Sequence, residues 1–299
     1  MDKLLALRTL LKVADCGGFT AAAQELGKTT SSIARIMDGL EASLGTPLLT
    51  RTSRNVSLTD AGCAYVEQVR QVLSDLNDAD SSVIDRGTEL TGHLRVSVSA
   101  TYGRLHLATR IPEFLQAYPR ITVDLVVSDI HLDLVNDRLD VALRVGVPDL
   151  DDRLIVKTLG KSERFLVASP AWLERHGRPA TPTDLARAEC LQFAYKPGRR
   201  QRWNFRSGDA IEPVIVTGQL VTNNLDMIAG AAIGGQGVAL LPKWLVAPDV
   251  AAGRLVRLFE DREITADAGE AFVYATYLPN RRLSRKVRAF IRFVESFSI

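Results

Sequence analysis

Apolar residues near the start of the chain recur at helical rather than strand spacing. Leu4, Leu7, Leu11 and Ala14 mark an amphipathic helix whose polar side carries Lys3, Arg8 and Lys12. From Phe19 to Gly45 the chain reads FTAAAQELGKTTSSIARIMDGLEASLG. This divides into two short helices: Thr20 caps Ala21 to Leu26, Gly27 breaks that helix, and Thr29 or Thr30 caps the next. The turn between them is only a few residues long, as a helix-turn-helix needs. In the second helix Ile33, Met37, Leu40 and Leu44 form one apolar stripe, with Ser31, Arg35 and Asp38 on the opposite face.

A helix that enters the major groove presents its N-terminal residues to base edges. Here those are Thr29, Thr30, Ser31, Ser32 and Arg35: short hydroxyls that donate or accept, and one guanidinium that can grip guanine in a bidentate fashion. The plain alternative is a capped surface helix of any globular domain. The next segment argues against it, because Leu48 to Thr52 and Val56 to Leu58 flank a Ser53-Arg54-Asn55 turn and read as a two-stranded wing. Arg51 and Arg54 lie where a wing touches the phosphate backbone, which positions a protein without specifying sequence.

From Thr59, a plausible cap, a long helix opens with Asp60 in its first turn. Tyr65, Val69, Val72, Leu76, Ala79 and Val83 alternate in steps of four and three, the spacing of a coiled-coil seam. About 28 residues at ~1.5 Å each give a rod of about 42 Å, long enough to pair two subunits. The alternative is that the seam packs on its own chain. No break appears until Gly87.

The strings FTAAAQEL, the Leu40-Glu41 and Leu44-Gly45 pairs and PLLTRTSRNVSLTDAG resemble the N-terminal domain of the LysR-type transcriptional regulators. The similarity continues through GHLRVSVSATYGRLHLA, ASPAWLERHGRPATPTDL, GVALLPKWLVAPDVAAGRLVRL and LSRKVRAFIRFV. At the start of the second helix the chain departs from the frequent family pattern, with Thr29, Thr30 and Ser31 in place of Ser-Gln-Pro or Ser-Gln-Ser and Ala34 in place of Ser. The resemblance implies an α+β multidomain protein. Its parts are a winged helix-turn-helix over 1–58, a dimerisation helix over 59–88 and an effector-binding domain over 92–299. That last domain has two subdomains like a type 2 periplasmic binding protein, 92–162 with 267–299 and 163–266. The implied partners are double-stranded DNA, a small-molecule effector and copies of the chain itself, as a homodimer and a homotetramer built as a dimer of dimers.

Charge modifies the DNA reading. Residues 1–60 hold seven Lys and Arg against six Asp and Glu, a balance of +1. A nucleic-acid-binding domain is usually more basic, so grip must come from placed arginines and from more than one head per complex. This near-neutrality motivates a second reading, a small-molecule binding protein whose N-terminal helices serve assembly only. Cys16, Cys63 and Cys190 are odd in number, scattered and without nearby metal ligands, which fits a reducing cytoplasm. The N-terminal apolar run is too short for a membrane span and lacks a signal-peptide cleavage site.

After Gly92 the texture changes. Leu94 to Val98, Thr122 to Val127, Val141 to Val145 and Phe165 to Ala168 read as strands, with helices at Leu105 to Ala117 and Leu132 to Asp137 between them, an α/β pattern. Near the C-terminus Val287, Phe290, Ile291 and Val294 form an apolar helix face, and Arg281, Arg282, Arg285 and Lys286 read as a solvated basic run. Ligands of open α/β sheets bind beyond the carboxyl ends of strands. The matching positions are Ser99, Ala100, Thr101 and Ser128, with Asn223 and Asn224 at the start of the helix Leu225 to Ala232. Hydroxyls and amides at helix starts suit an anionic effector, or simply cap their helices. Phe193, Tyr195 and Trp203 can line the second wall or fill the core. Gly230, Gly234, Gly235 and Gly237 follow a helix and precede a strand, the reverse of a phosphate-cradling loop. No catalytic constellation, metal-ligand spacing or cofactor fingerprint is legible, so the chain reads as a regulator rather than an enzyme.

Overall fold

The computed structural model describes residues 2–51, 56–83, 89–148, 151–194, 200–266, 269–282 and 284–297. The chain divides into two units, Met1–Thr88 and Glu89–Ile299. In the first, α1 (Lys3–Cys16) opens on Asp2, whose carboxylate accepts from the Leu5 amide at 3.0 Å. Its buried face is Ala6, Thr9, Leu10 and Val13. That face is turned from the expected stripe: Leu4 is exposed, and Leu7, Leu11 and Ala14 lie at the margin of the core. The reason is that α1 packs on three other helices of the unit, so small Ala6 rather than bulky Leu4 occupies the closest approach.

The second helix, α2 (Phe19–Glu25), starts one residue before Thr20, which therefore lies inside it and does not cap it. Gly27 ends it in the left-handed region at φ 60°. In α3 (Thr30–Leu44) the cap is Thr29, whose Oγ1 accepts from the Ser32 amide at 3.2 Å. Ile33, Met37 and Leu40 are fully buried with Leu44 packed beside them, as the stripe requires. Strands β1 (Leu49–Arg51) and β2 (Val56–Leu58) pair antiparallel, Leu49 opposite Leu58. The turn expected at Ser53-Arg54-Asn55 lies outside the described residues.

Three hydrogen bonds of Thr59 fix the start of α4 (Asp60–Val83) to the wing. Its Oγ1 accepts from the Gly62 amide at 2.9 Å and donates to the Pro47 carbonyl at 2.9 Å, and its amide donates to the Leu48 carbonyl at 2.9 Å. Gly62 lies directly against the Leu48 carbonyl oxygen, and any Cβ there would overlap it. The seam of α4 is not single. Val66, Val69 and Leu73 are buried within the unit, whereas Val72 is 58% exposed and Leu76 half-buried. Val69 thus belongs to the chain's own interior instead of the seam, because α4 lies along α1, where Arg70 holds Asp15 at 2.6 Å. Tyr65 packs at the edge of the same core. The side chains of Ala79 and Val83 lie outside the described residues.

The second unit has two lobes. Its elements run β3 (Thr91–Val98), α5 (Ala100–Tyr102), a π-helical turn at Gly103–Leu107, α6 (Ile111–Ala117), β4 (Arg120–Val127), β5 (Val141–Gly146) and β6 (Ile155–Lys161). The chain then crosses to β7 (Arg164–Ala168), α7 (Pro170–His176), β8 (Cys190–Phe193), β9 (Arg200–Ser207), β10 (Ala210–Thr217), β11 (Val221–Thr222), α8 (Leu225–Ile233), β12 (Val238–Pro242), α9 (Lys243–Ala251), β13 (Val256–Leu258) and β14 (Glu263–Ala266). It returns to β15 (Phe272–Tyr277) and α10 (Arg285–Glu295). The first lobe is built on the sheet β4-β3-β5-β15-β6, parallel except for β15. Its core joins Val96, Val98, Val141 and Leu143 to Phe114 of α6 and to Val287, Phe290, Ile291 and Val294 of α10. The second lobe holds the sheet β11-β8-β12-β7-β13 and a small antiparallel sheet β10-β9-β14, whose Trp203 and Phe205 are buried core rather than ligand wall.

The helix expected over Leu105 to Ala117 is divided, a turn at 108–110 separating the π-helical Gly103–Leu107 from α6, and two further expectations fail for identifiable reasons. Residues 134–138 form a turn, not a helix: the Asp133 carboxylate takes the amides of Val135 and Asn136 at 2.7 and 2.8 Å, and Arg138 then enters the left-handed region at φ 54°. The basic run before α10 is not solvated throughout. Arg281 and Lys286 are buried, and Arg281 pairs with Asp140 at 3.3 Å, which itself accepts from the Arg95 amide at 2.9 Å. Among the described residues no helix is long and apolar enough to cross a membrane. Burial pushes the Cys190 thiol up to about 12, so it behaves as a core residue.

Candidate functional site

Two regions collect the residues singled out from the sequence. The first is the exposed start of α3. Thr30 and Ser31 are exposed, Ser32 is half-buried, and the Ser31 hydroxyl lies 3.1 Å from that of the capping Thr29. Arg35, one turn on, is exposed and makes no hydrogen bond or ion pair with any described residue. Its guanidinium is therefore available to a groove or a phosphate.

Arg51 is in a different situation. Its Nη2 pairs with Asp38 at 2.6 Å and with Glu41 at 2.8 Å, and its guanidinium lies over the Phe19 ring at 5.2 Å. It ties the first wing strand to α3 and α2, a role the sequence does not announce. The same contact gives Asp38, on the polar face of α3, a cationic partner. Glu41 does more: one carboxylate oxygen accepts from the amides of both Leu48 and Leu49, at 2.7 and 2.8 Å, while the other takes Arg51. Three donors on one half-buried carboxylate set the position of β1 against α3. Arg54 lies outside the described residues.

The second region is the junction between the lobes of the second unit. Ser99 precedes α5, and its Oγ is buried with no hydrogen-bond partner among the described residues. The Ala100 amide donates to Asp129 Oδ1 at 2.8 Å, and Asn224 Nδ2 from the second lobe donates to Asp129 Oδ2 at 2.8 Å. Asn224 also caps α8, its Oδ1 accepting from the Met227 amide at 3.0 Å. Beside it, Thr101 donates to Asp226 at 3.0 Å, and Arg104 pairs with the same carboxylate. Ser128 closes its own turn, accepting from the Ile130 amide at 3.1 Å. The structure thus brings Ser99, Ala100, Thr101, Ser128 and Asn224 together, with Asn223 adjacent in chain. Tyr195 lies outside the described residues.

Asp129, Asp226 and Arg104 were not anticipated. An aspartate in the first turn of α8 reads locally as a dipole complement, and nothing nearby shows that it reaches the other lobe. Further into the junction Tyr102 stacks on His106 at 4.9 Å, and Trp244 of α9 meets His106 edge-on at 5.0 Å. Trp244 Nε1 donates to Ser162 Oγ, at the crossing between lobes, at 3.1 Å. Burial lowers the His106 pKa, and its Nε2 is buried without a partner among the described residues. At the two crossings Lys161 joins Glu263 and Glu270, at 2.7 and 3.0 Å. The glycines near Gly234 close α8 as a C-cap, with Gly235 at φ 78°. No cluster of three metal-ligating side chains occurs among the described residues.

With this geometry in place, comparison with known proteins is informative. Residues 4–63 match the family described as bacterial regulatory helix-turn-helix protein, lysR family, and residues 87–298 match the LysR substrate binding domain. The transcriptional regulator PtxR of Pseudomonas aeruginosa is 33% identical, over 95% of this chain and 89% of its own length. DmlR of Escherichia coli, also a transcriptional regulator, is 31% identical over 97% and 93%. Among solved structures, CrgA, a LysR-type regulator of Neisseria meningitidis, superposes with a TM-score of 0.60 at 27% identity, covering 98% of this chain and 97% of that one. The full-length Vibrio cholerae virulence activator AphB gives 0.58 at 26% identity, covering 99% of each.

Two substitutions test the polar joints. Glu41→Ala leaves the Leu48 and Leu49 amides without their acceptor and should lower the stability of the first unit by about 1.5–3 kcal/mol, read as a lower urea midpoint at unchanged slope. A midpoint equal to wild type would mean the joint is redundant. Asp129→Ala should speed exchange of the Ala100 amide with deuterium about tenfold or more, for a hydrogen bond to a charged group worth about 1.5–3 kcal/mol. Unchanged protection at Ala100 would show that the amide is shielded by something other than this carboxylate.

Proposed function

Since the chain belongs to the LysR family of transcriptional regulators, we propose that the start of α3 reads DNA and that an effector bound between the two lobes modulates it. The observation that carries the DNA reading is Arg35, an exposed guanidinium without a partner among the described residues, on the face of α3 that also exposes Thr30 and Ser31. Thr29 and Ser32 complete that surface. Arg51 holds the wing in register with its charge taken by Asp38 and Glu41, and Arg54 supplies a contact to the DNA backbone. The reading of the N-terminal helices as assembly elements alone gives way to the family match over residues 4–63.

For the effector, the support is the polar lining of the lobe junction. Ser99 Oγ has a buried, unused hydrogen-bonding atom there, and the Ala100 amide and Asn224 already grip a carboxylate, that of Asp129. An anionic effector takes the place of Asp129 on those donors, with Ser99, Thr101, Ser128, Asn223 and Tyr195 around it. Asp129 then acts as an internal stand-in for the ligand, whose release changes how the lobes are held.

Assembly follows the outward line of α4. Val72 and Leu76, with Tyr65 at its edge and Ala79 and Val83 beyond, pair with a second copy to give a dimer, and two dimers give a tetramer. Val72→Asp with Leu76→Asp should convert the protein to monomers in light scattering, since charges replace an apolar seam. An unchanged mass would place the contact elsewhere. Footprinting on DNA flanking the chain's own gene tests the function itself: Arg35→Ala should weaken protection roughly tenfold or more. No protected site at moderate salt, with or without candidate carboxylates, would sink the proposal.

A further inference from the structure

Along β5 and β15 the residues that face away from α6 and α10 lie side by side in register, Arg144 opposite Tyr274 and Ala142 opposite Thr276. All four are buried. The segment 131–135 covers this face with Leu132 and Leu134, and Leu154 closes a third side, leaving a cavity of about 230 Å³. Every residue that lines it belongs to the first lobe, so it is separate from the lobe junction. The Arg144 guanidinium is held at its wall, donating to the Leu143 carbonyl at 3.0 Å and to Ser97 Oγ at 2.8 Å.

We infer that this cavity is a second binding site, for a small organic carboxylate whose head meets Arg144 and Thr276 and whose apolar tail lies along Leu132, Leu134 and Leu154. The planar fork of a guanidinium matches a carboxylate or a phosphate, and the aliphatic walls favour the carboxylate of an organic acid. Arg144, the Thr276 hydroxyl and the Tyr274 ring stand beside the aliphatic Leu132, Leu134 and Leu154, with His131 and Arg153 also in the lining, a mixture that suits an amphiphile better than an inorganic ion. Two acids lie at the rim, each with partners of its own. The Asp133 carboxylate is taken by the Val135 and Asn136 amides, and Asp151 is held by Arg153 through both oxygens, at 3.0 and 2.8 Å.

Position gives the site a consequence. The covering segment follows Asp129 in the chain with one residue between them, so a ligand beneath 131–135 acts on the stretch that carries the carboxylate joining the lobes. The cavity stands on its own geometry and does not depend on an effector at the junction.

Calorimetric titration of the full chain with butanoate tests the inference, with n-butylamine as the probe of opposite charge and sodium chloride as the control for ionic strength. Saturable one-to-one binding of butanoate and none of butylamine is expected. Leu132→Trp, which fills the cavity, and Thr276→Val, which keeps its shape, should each weaken it about tenfold, equivalent to about 1.4 kcal/mol, with unchanged circular dichroism. Retention in Leu132→Trp with loss in Ser99→Ala would move the carboxylate to the junction and overturn the inference. Heats no different from those of sodium chloride would overturn it as well.

Discussion

The Glu41 carboxylate sets the geometry of the DNA-reading unit, because the hydrophobic core alone cannot. Apolar contact is non-directional, and Ile33, Met37 and Leu40 would pack equally well with the wing displaced along α3. Directional bonds remove that freedom: the amides of Leu48, just before β1, and Leu49, its first residue, converge with the Arg51 guanidinium on one side chain of α3. The wing, the cap of α4 and the paired Asp38 all depend on that convergence. A head whose overall charge is near neutral can then present Arg35 with a defined neighbourhood rather than a diffuse positive field.

Asp129 repeats the principle in the second unit. The two lobes have separate buried clusters, bridged by Trp244 and Leu105 at their edges, and beside that apolar contact the bonds centred on Asp129 are polar. Such contacts can be exchanged for those of a ligand with little net change in energy, since a carboxylate replaces a carboxylate. Buried apolar packing has no such interchangeability. Family membership tells that the unit belongs to the substrate-binding type; the chemistry of Ser99, Ala100 and Asn224 suggests why its lobes can respond to something small.

Much of this was legible in the sequence, for local reasons. The stripe of α3, the Gly27 break, the Thr29 and Thr59 caps and the four strands at Leu94, Thr122, Val141 and Phe165 are each encoded within a few residues. Misreadings occurred where a segment has several neighbours at once. The helix α1 touches three others, so its buried face is not its most apolar one, and α4 splits its apolar residues between its own unit and the outward line of Val72. At 134–138 a side chain outcompeted the helical backbone. The polar joints were the least visible, because Asp129 with Asn224 and Arg104 with Asp226 are separated by 95 and 122 positions, and no local pattern marks them.

The bond between Thr59, Gly62 and Leu48 has a mechanical meaning. A rod attached to a head through flexible side chains would bend at the neck and absorb whatever rotation reached it. Here the neck is backbone against backbone, with no room for even one methyl group. A rotation of α4 therefore reaches the chain at Leu48 directly, and Glu41, which holds the Leu48 and Leu49 amides, hands it on to α3.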